Sequence, residues 1–301
     1  MTATKKSLKF ILLDILYLAM IILPFAGAIV LKVLITPQTE GVSLTGAIIL
    51  WQIPMPLQDL YITEVQINSW AVVIAILGLV LFLRHGLSVK PYLKRQLVLE
   101  WIVEQCDNLV MSNMGQAFMG FSPFICAIMA LSAFSSLSSL LGIFPPTSDL
   151  NIIAGWAILV FILITYFKLK GGFFHYLKSY TEPIAVMTPM NIISEFATPV
   201  SMTMRHFGNV LSGVVISSLL GVFLSSLTAG LPGLLGQIPF LRVGIPAVLS
   251  LYFDIFSGCL QAFIFAMLTM QYVANGFPGE AYEKRLKRRA ERAARRAAEK
   301  A

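Results

Sequence analysis

The sequence predicts an all-α, polytopic membrane protein, and three observations carry that expectation. Of 301 residues, 57% are hydrophobic and 12% charged, with a mean hydropathy of +0.80. A soluble domain of this size has too little interior to hide so much apolar surface. The apolar residues also gather into runs long enough, at about 1.5 Å per helical residue, to cross about 30 Å of hydrocarbon. Finally, the basic residues fall in alternate connections, as the positive-inside rule requires of a multi-pass chain.

The apolar runs lie near 8–35, 68–84, 121–144, 152–168, 188–228 and 245–275, predicting about six membrane helices. The first, "KKSLKFILLDILYLAMIILPFAGAIVLKVL", has the lysines of a signal sequence. Its apolar stretch outruns a signal h-region and no clear cleavage site follows, so a retained helix is expected. Arg84, Lys90, Lys94 and Arg95 share one connection and Lys168, Lys170 and Lys178 another. Thr36–Ser69 and Pro145–Asn151 contain no Lys or Arg, and 229–244 only Arg242. Six crossings put every basic connection and both termini on one side, expected to be cytoplasmic.

Between the second and third runs lies "KPYLKRQLVLEWIVEQCDNLVMSNMG". Leu97, Trp101, Val103 and Leu109 are interleaved there with Glu100, Glu104 and Asp107. This predicts an amphipathic helix on the cytoplasmic surface. From Glu280 onward, nine Lys/Arg against four Glu give the tail +5 of the formal +7. Its composition predicts a helix in contact with anionic lipid headgroups or simply solvated, and nothing in it indicates nucleic acid. Cys106, Cys126 and Cys259 are scattered, without metal-like spacing. No nucleotide-binding glycine pattern and no metal-binding His/Glu motif is present, so the chemistry of soluble enzymes and any cofactor are not expected.

The run at 188–228 is the exception in length. Forty residues of helix measure about 60 Å, twice the hydrocarbon thickness, so the segment must tilt, begin outside the membrane, or break, with Pro199 a candidate break. It also carries charge, in "TPVSMTMRHFGNVLSG". On a helix Ser194, Thr198, Ser201, Arg205, Asn209 and Ser212 fall on one face, with Gly208 and Gly213 beside it and Glu195 and His206 on the flanks. Small polar residues alone would read as helix packing. An arginine among them requires water or a counter-charge, since a charge at that depth costs roughly 2.5–3.5 kcal/mol on insertion scales. The last run places Asp254, Gly258 and Gln261 on a common face. Two narrow polar stripes, one cationic and one acidic, suggest the walls of an ion path.

"SMTMRHFGNVLSG", followed some fifty residues later by "LQAFIFAMLTM", closely resembles subunit a of the F-type ATP synthase membrane sector. The upstream "PFICAIMALSAFSSLSSLLGIFPPTSDLN" resembles that family's third and fourth helices and the turn between them. The resemblance covers roughly 65–275. It divides the chain into an extra N-terminal membrane helix with an extracytoplasmic segment (1–64), a subunit a-like membrane domain (65–276) and a basic cytoplasmic tail (277–301).

The resemblance implies a stator subunit that is not an enzyme on its own. It would couple proton or sodium flow to rotation of a c-ring, with b-type peripheral-stalk subunits and lipid as further partners, in a cell membrane of the bacterial plasma-membrane kind. It places the family's essential arginine at Arg205, facing ring carboxylates. Asn209 takes the asparagine one turn on, Gln261 the glutamine near the arginine, and Asp254 a position lining an aqueous half-channel. It also implies a long, tilted C-terminal hairpin against the ring. Two departures stand out. His206 replaces a common Leu, and Val214 occupies a place where many bacterial members carry Glu, leaving Asp254 alone, or with Glu195 or His206, to relay the ion. The rival reading is a self-contained secondary transporter using Arg205 to bind an anionic substrate; such proteins usually show internal repeats and paired broken helices, and none is evident.

Overall fold

The computed structural model describes residues 8–35, 47–56, 59–88, 94–181, 184–229, 248–249, 251–279 and 282. The expected tail helix, the Arg242 connection and the first residues of the sixth expected run lie outside the described residues. Eight α-helices can be named among those described: α1 (Leu8–Ile35), α2 (Glu64–Arg84), α3 (Lys94–Met114), α4 (Ser122–Leu137), α5 (Leu150–Leu169), α6 (Phe173–Ser179), α7 (Thr188–Ala229) and α8 (Gly258–Gly276). A 3₁₀ turn, Gln116–Phe121, leads into α4, and a π-helical stretch, Leu251–Ser257, leads into α8. Six of these helical stretches are long and apolar enough to cross a bilayer: α1, α2, Gln116–Leu141, α5, α7 and Leu251–Gly276. The chain is a multi-pass, all-α membrane protein, as its composition predicts.

Local chemistry sets the boundaries. The Asp149 carboxylate accepts the Asn151 N–H at 2.8 Å and caps α5. Gly142, at φ +72°, takes the left-handed conformation that ends the helical turns after α4. The core is made by α4, α5 and α8, where Ile125, Val160, Phe265 and Met270 interlock and Met202 of α7 joins them. Many outward-facing side chains of α1, among them Leu12, Leu16 and Leu23, are exposed apolar groups, suited to lipid rather than water.

Three features differ from the sequence expectation. First, α7 runs unbroken through Pro199 for 42 residues, about 63 Å. The Thr203 hydroxyl donates to the Pro199 carbonyl at 2.8 Å and that of Thr198 to the Ser194 carbonyl at 3.0 Å, folding both side chains back along the helix. Second, an antiparallel hairpin, β1 (Ile49–Ile53) and β2 (Leu60–Thr63), precedes α2, pairing Gln52 with Tyr61 and Ile53 with Leu60. Its last strand leads directly into α2, and the Glu64 N–H donates to the Ile48 carbonyl at 2.9 Å. Third, α3 forms as expected, yet Leu97, Trp101 and Val103 face outward while Gln96, Cys106 and Val110 are buried against the bundle. Gln96 holds the neighbouring loop in register, donating to the Ser88 carbonyl and accepting the Ser88 N–H.

Helix α1 packs along α2; the end of the bundle carrying His85 and Arg95 is hereafter the basic end and the other the hairpin end. Gly78 permits the close approach, since a Cβ there would stand 2.9 Å from the Met20 Cβ. Asp14 of α1 accepts from Arg95 Nη1 at 2.7 Å and lies 2.8 Å from His85 Nδ1. The Arg95 guanidinium lies 5.0 and 5.1 Å from the ring centres of Phe10 and Phe82, a cation–π arrangement. At the hairpin end, Lys32 donates to the Gly142 carbonyl.

Replacing Asp14 with Ala strands the largely buried Arg95 and is expected to cost about 3 kcal/mol; the paired change Asp14→Leu with Arg95→Met costs less than the single one, both read by unfolding in detergent. A methyl at Gly258 would lie 2.7 Å from the Ser136 Cβ, whereas one at Gly208 meets open space. Gly258→Ala therefore destabilises the protein by about 1–3 kcal/mol, whereas Gly208→Ala, on an open face inside α7, raises its melting temperature slightly.

Candidate functional site

The polar stripe of α7 lies on a face that this chain leaves uncovered. Ser194, Ser201, Arg205 and Ser212 are exposed, Thr198 and Asn209 half-buried, and none of the six is buried. Met204 and Val200 flank the arginine as exposed apolar side chains. Arg205 makes no ion pair and no hydrogen bond among the described residues. On the outer surface of the adjoining π-helical stretch and α8, Tyr252, Phe256, Leu260 and Phe263 are exposed as well. The arginine thus sits in a broad, mostly apolar face built from the last two long helices.

His206, next in sequence, projects the other way. It is fully buried, with its ring centre 6.2 Å from that of Trp156 and 5.6 Å from that of Phe265. Its Nε2 lies 3.3 Å from the Ser132 hydroxyl, and its Nδ1 has no hydrogen-bond partner among the described residues. The 100° step between neighbours on a helix separates an outward cation from an inward imidazole. Sequence geometry put Glu195 and His206 on neighbouring flanks of one stripe; the tertiary packing makes His206 a core group joining α7 to α4, α5 and α8.

One turn beyond Arg205, the Asn209 side-chain Oδ1 accepts the Ser257 hydroxyl at 3.0 Å. Asn209, Ser257, Asp254, Ser136 and Ser139 together line a small polar crevice toward the hairpin end. Two glycines bring the elements this close: a Cβ at Gly213 would lie 3.1 Å from the Phe253 side chain, and Gly258 lies against Ser136. Asp254 stands within the π-helical stretch, whose wider turn breaks the 3.6-residue register expected between it and α8. Gly258 and Gln261 remain on the buried face of α8 while Asp254 is half-buried at the crevice. Gln261 is buried while Arg205 turns outward.

Glu195 lies ten residues before Arg205, about 15 Å along the helix axis, toward the basic end. Lys168 Nζ donates to its Oε1 at 2.9 Å, Tyr176 reaches the same oxygen at 3.3 Å, and the Tyr180 hydroxyl donates to Oε2. The Glu195 side chain is only 6% exposed, so this clasp is what keeps a carboxylate tolerable there. Burial pushes both tyrosine hydroxyls above their ordinary range, and the Glu195 charge adds to it, so both remain proton donors. A cleft of about 230 Å³ opens beside the clasp, lined by Glu195, Lys168, Thr198, Tyr272 and Asn275.

The structure therefore gathers the sequence-derived residues into two polar sites at different heights on α7, with Arg205 between them. Asn209 and Asp254 share the first, Glu195 belongs to the second, and His206 and Gln261 are packed into the bundle. Sequence reading missed Ser136, Ser257, Lys168, Tyr176 and Tyr180. The Tyr–x–x–x–Tyr spacing of "YLKSY" put both phenols on one helical face, but nothing in the chain order indicated which acid they meet. Among the described residues, no cluster of three His, Cys, Asp or Glu could hold a metal ion.

The model of the ATP synthase A chain family matches residues 66–274. "ATP synthase subunit a 1" of Crocosphaera subtropica is 35% identical over 237 residues, 76% of this chain and 92% of that protein. "ATP synthase subunit a" of Bacillus subtilis is 31% identical over 230 residues, 71% of this chain and 91% of that one. "ATP synthase subunit a, sodium ion specific" of Propionigenium modestum is 31% identical over 229 residues, covering 70% and 73%. With a family match that takes in more than half its length, the chain belongs to the ATP synthase A chain family.

Proposed function

We propose that this chain is the ion-translocating stator subunit of a rotary F-type ATP synthase, and that Arg205 faces the carboxylates of a rotating c-ring. The carrying observation is the position of Arg205: outward, in mid-helix, without an ion-pair partner among the described residues, between two separate polar sites. The exposed faces of α7 and α8 form the surface for the ring. The basic end faces the cytoplasm, with b-type peripheral-stalk subunits and lipid covering other outward surfaces. The chain is not an enzyme by itself; it supplies ion passage to the complex.

The physics is a selection rule on charge. A ring carboxylate crosses lipid only when neutralised, because an ion at that depth costs several kcal/mol. Opposite a guanidinium, which stays charged under all working conditions, the ionised carboxylate is favoured instead. The cation must therefore leave on one side of Arg205 and another must bind on the other side. The Asp254–Asn209 crevice serves as the half-channel toward the hairpin end, and the cleft beside Glu195 as the half-channel toward the basic end. Arg205 repels any cation moving directly between them. A self-contained transporter would enclose such an arginine in a binding cavity, whereas here it lies on an outer face.

Arg205→Lys retains charge only while hydrated, since a buried amine releases its proton far more readily. ATP-driven ion pumping by the reconstituted complex is expected to fall to background in this variant; pumping at the normal rate would refute the assignment. Tyr180→Phe removes one donor to Glu195 and is expected to slow pumping several-fold while costing about 1–2 kcal/mol of stability, measured by pumping assays and unfolding in detergent. Because both phenols are held protonated above the usual tyrosine value near about 10, their contribution to stability is complete below that pH and is lost as the pH rises beyond it.

A further inference from the structure

The first turns of α2 hold two buried polar side chains that have no part in the reading above. Glu64 is 7% exposed and Asn68 2%. They stand four residues apart and so on one face of the helix. Asn68 Nδ2 donates to the Phe144 carbonyl at 3.0 Å. Its own oxygen, and Glu64 Oε1, are buried without a hydrogen-bond partner among the described residues. Each such atom costs about 1–3 kcal/mol, and both are acceptors. A donor or a cation satisfies them: water, a hydrated proton, or a sodium ion.

Two polar spaces lie near these first turns of α2. Outside lies an open cleft of about 750 Å³ whose wall includes Thr63, Gln66, Ser69, Asp149 and Asn151. Inside, α2 packs on α4 and on the Pro146–Ser148 turn. Thr147 of that turn, fully buried, lies 3.3 Å from the Ser136 hydroxyl, and Ser136 is in the wall of the crevice that holds Asp254. Val214 offers no carboxyl on α7.

We propose that Glu64 and Asn68 form the inlet of the half-channel at the hairpin end, passing the transported cation from the open cleft to Thr147, Ser136 and Asp254. This rests on the function proposed above and assigns the acidic group at the mouth of that path. When the cation is a proton, Glu64 takes it from the cleft as a neutral carboxyl and releases it to water held by the Asn68 oxygen. The carboxylate is thereby regenerated, and one proton has advanced.

The test uses the intact synthase in liposomes, driven by whichever of a proton or sodium gradient supports ATP synthesis in the unaltered complex. Glu64→Gln is expected to lower gradient-driven synthesis about tenfold or more, and Glu64→Asp to restore most of it. With the three native cysteines replaced by alanine, Glu64→Cys and Asn68→Cys are expected to react with a membrane-impermeant thiol reagent added at the hairpin side. Full activity in Glu64→Gln, or labelling of both cysteines only from the basic side, overturns the proposal. Should Glu64→Gln fail to assemble, Glu64→Asp and the labelling pattern decide the matter. Arg205→Ala in the same vesicles separates the two claims. If it abolishes coupling while Glu64→Gln works normally, only the inlet is wrong; if coupling survives, the function proposed above is wrong.

Discussion

A guanidinium within a membrane helix is the constraint to which the rest of this structure answers. It cannot shed its proton, and at bilayer depth it loses hydration worth a few kcal/mol on insertion scales. The bundle does not relieve that cost from within, since Arg205 has no ion-pair partner among the described residues. It stands instead on an exposed face of two long helices. A chain that keeps so expensive a group without neutralising it internally is built to meet something outside itself, and in the proposed reading that is a passing carboxylate.

The packing around Arg205 follows from the need for two separate polar sites beside an otherwise apolar bundle. Asn209 is drawn toward Asp254 by the Ser257 hydroxyl, and Gly213 and Gly258 remove the side chains that would keep these elements apart. About 15 Å away along α7, Glu195 is held by a lysine and two tyrosines from the preceding connection. Apolar interlocking of α4, α5 and α8 fixes the elements that carry both sites. His206 contributes to that rigidity: its ring fills the space between Trp156 and Phe265, so the helix bearing Arg205 has a defined rotational setting.

The N-terminal helix shows the same economy with charge. Asp14 would be costly in a lipid-facing span, but α1 turns it toward His85 and Arg95, where three charged or ionisable groups and two aromatic rings meet. The family match begins only at residue 66, so this contact fastens a segment that lies outside the match to the part within it.

Much of this protein was legible in residue order. Run length and hydropathy gave six crossings because a bilayer imposes one thickness on every span. The "MRHFGN" and "LQAFIF" elements indicated the family, and helical periodicity placed Arg205 and Asn209 on one stripe. Periodicity set Glu195 and His206 beside one stripe but could not say what each would meet, so they looked equivalent until packing put one in the core and the other in a clasp. Nor could it foresee the π-helical stretch, whose wider turn changes the register between Asp254 and α8. The uninterrupted course of α7 through Pro199 was likewise hidden, because whether a helix tolerates one missing N–H depends on the packing around it. Sequence alone determined the spans and the charges, since these follow from local transfer free energies. The tertiary structure decided which charges meet and which stay apart, because that depends on contacts between residues remote in the chain.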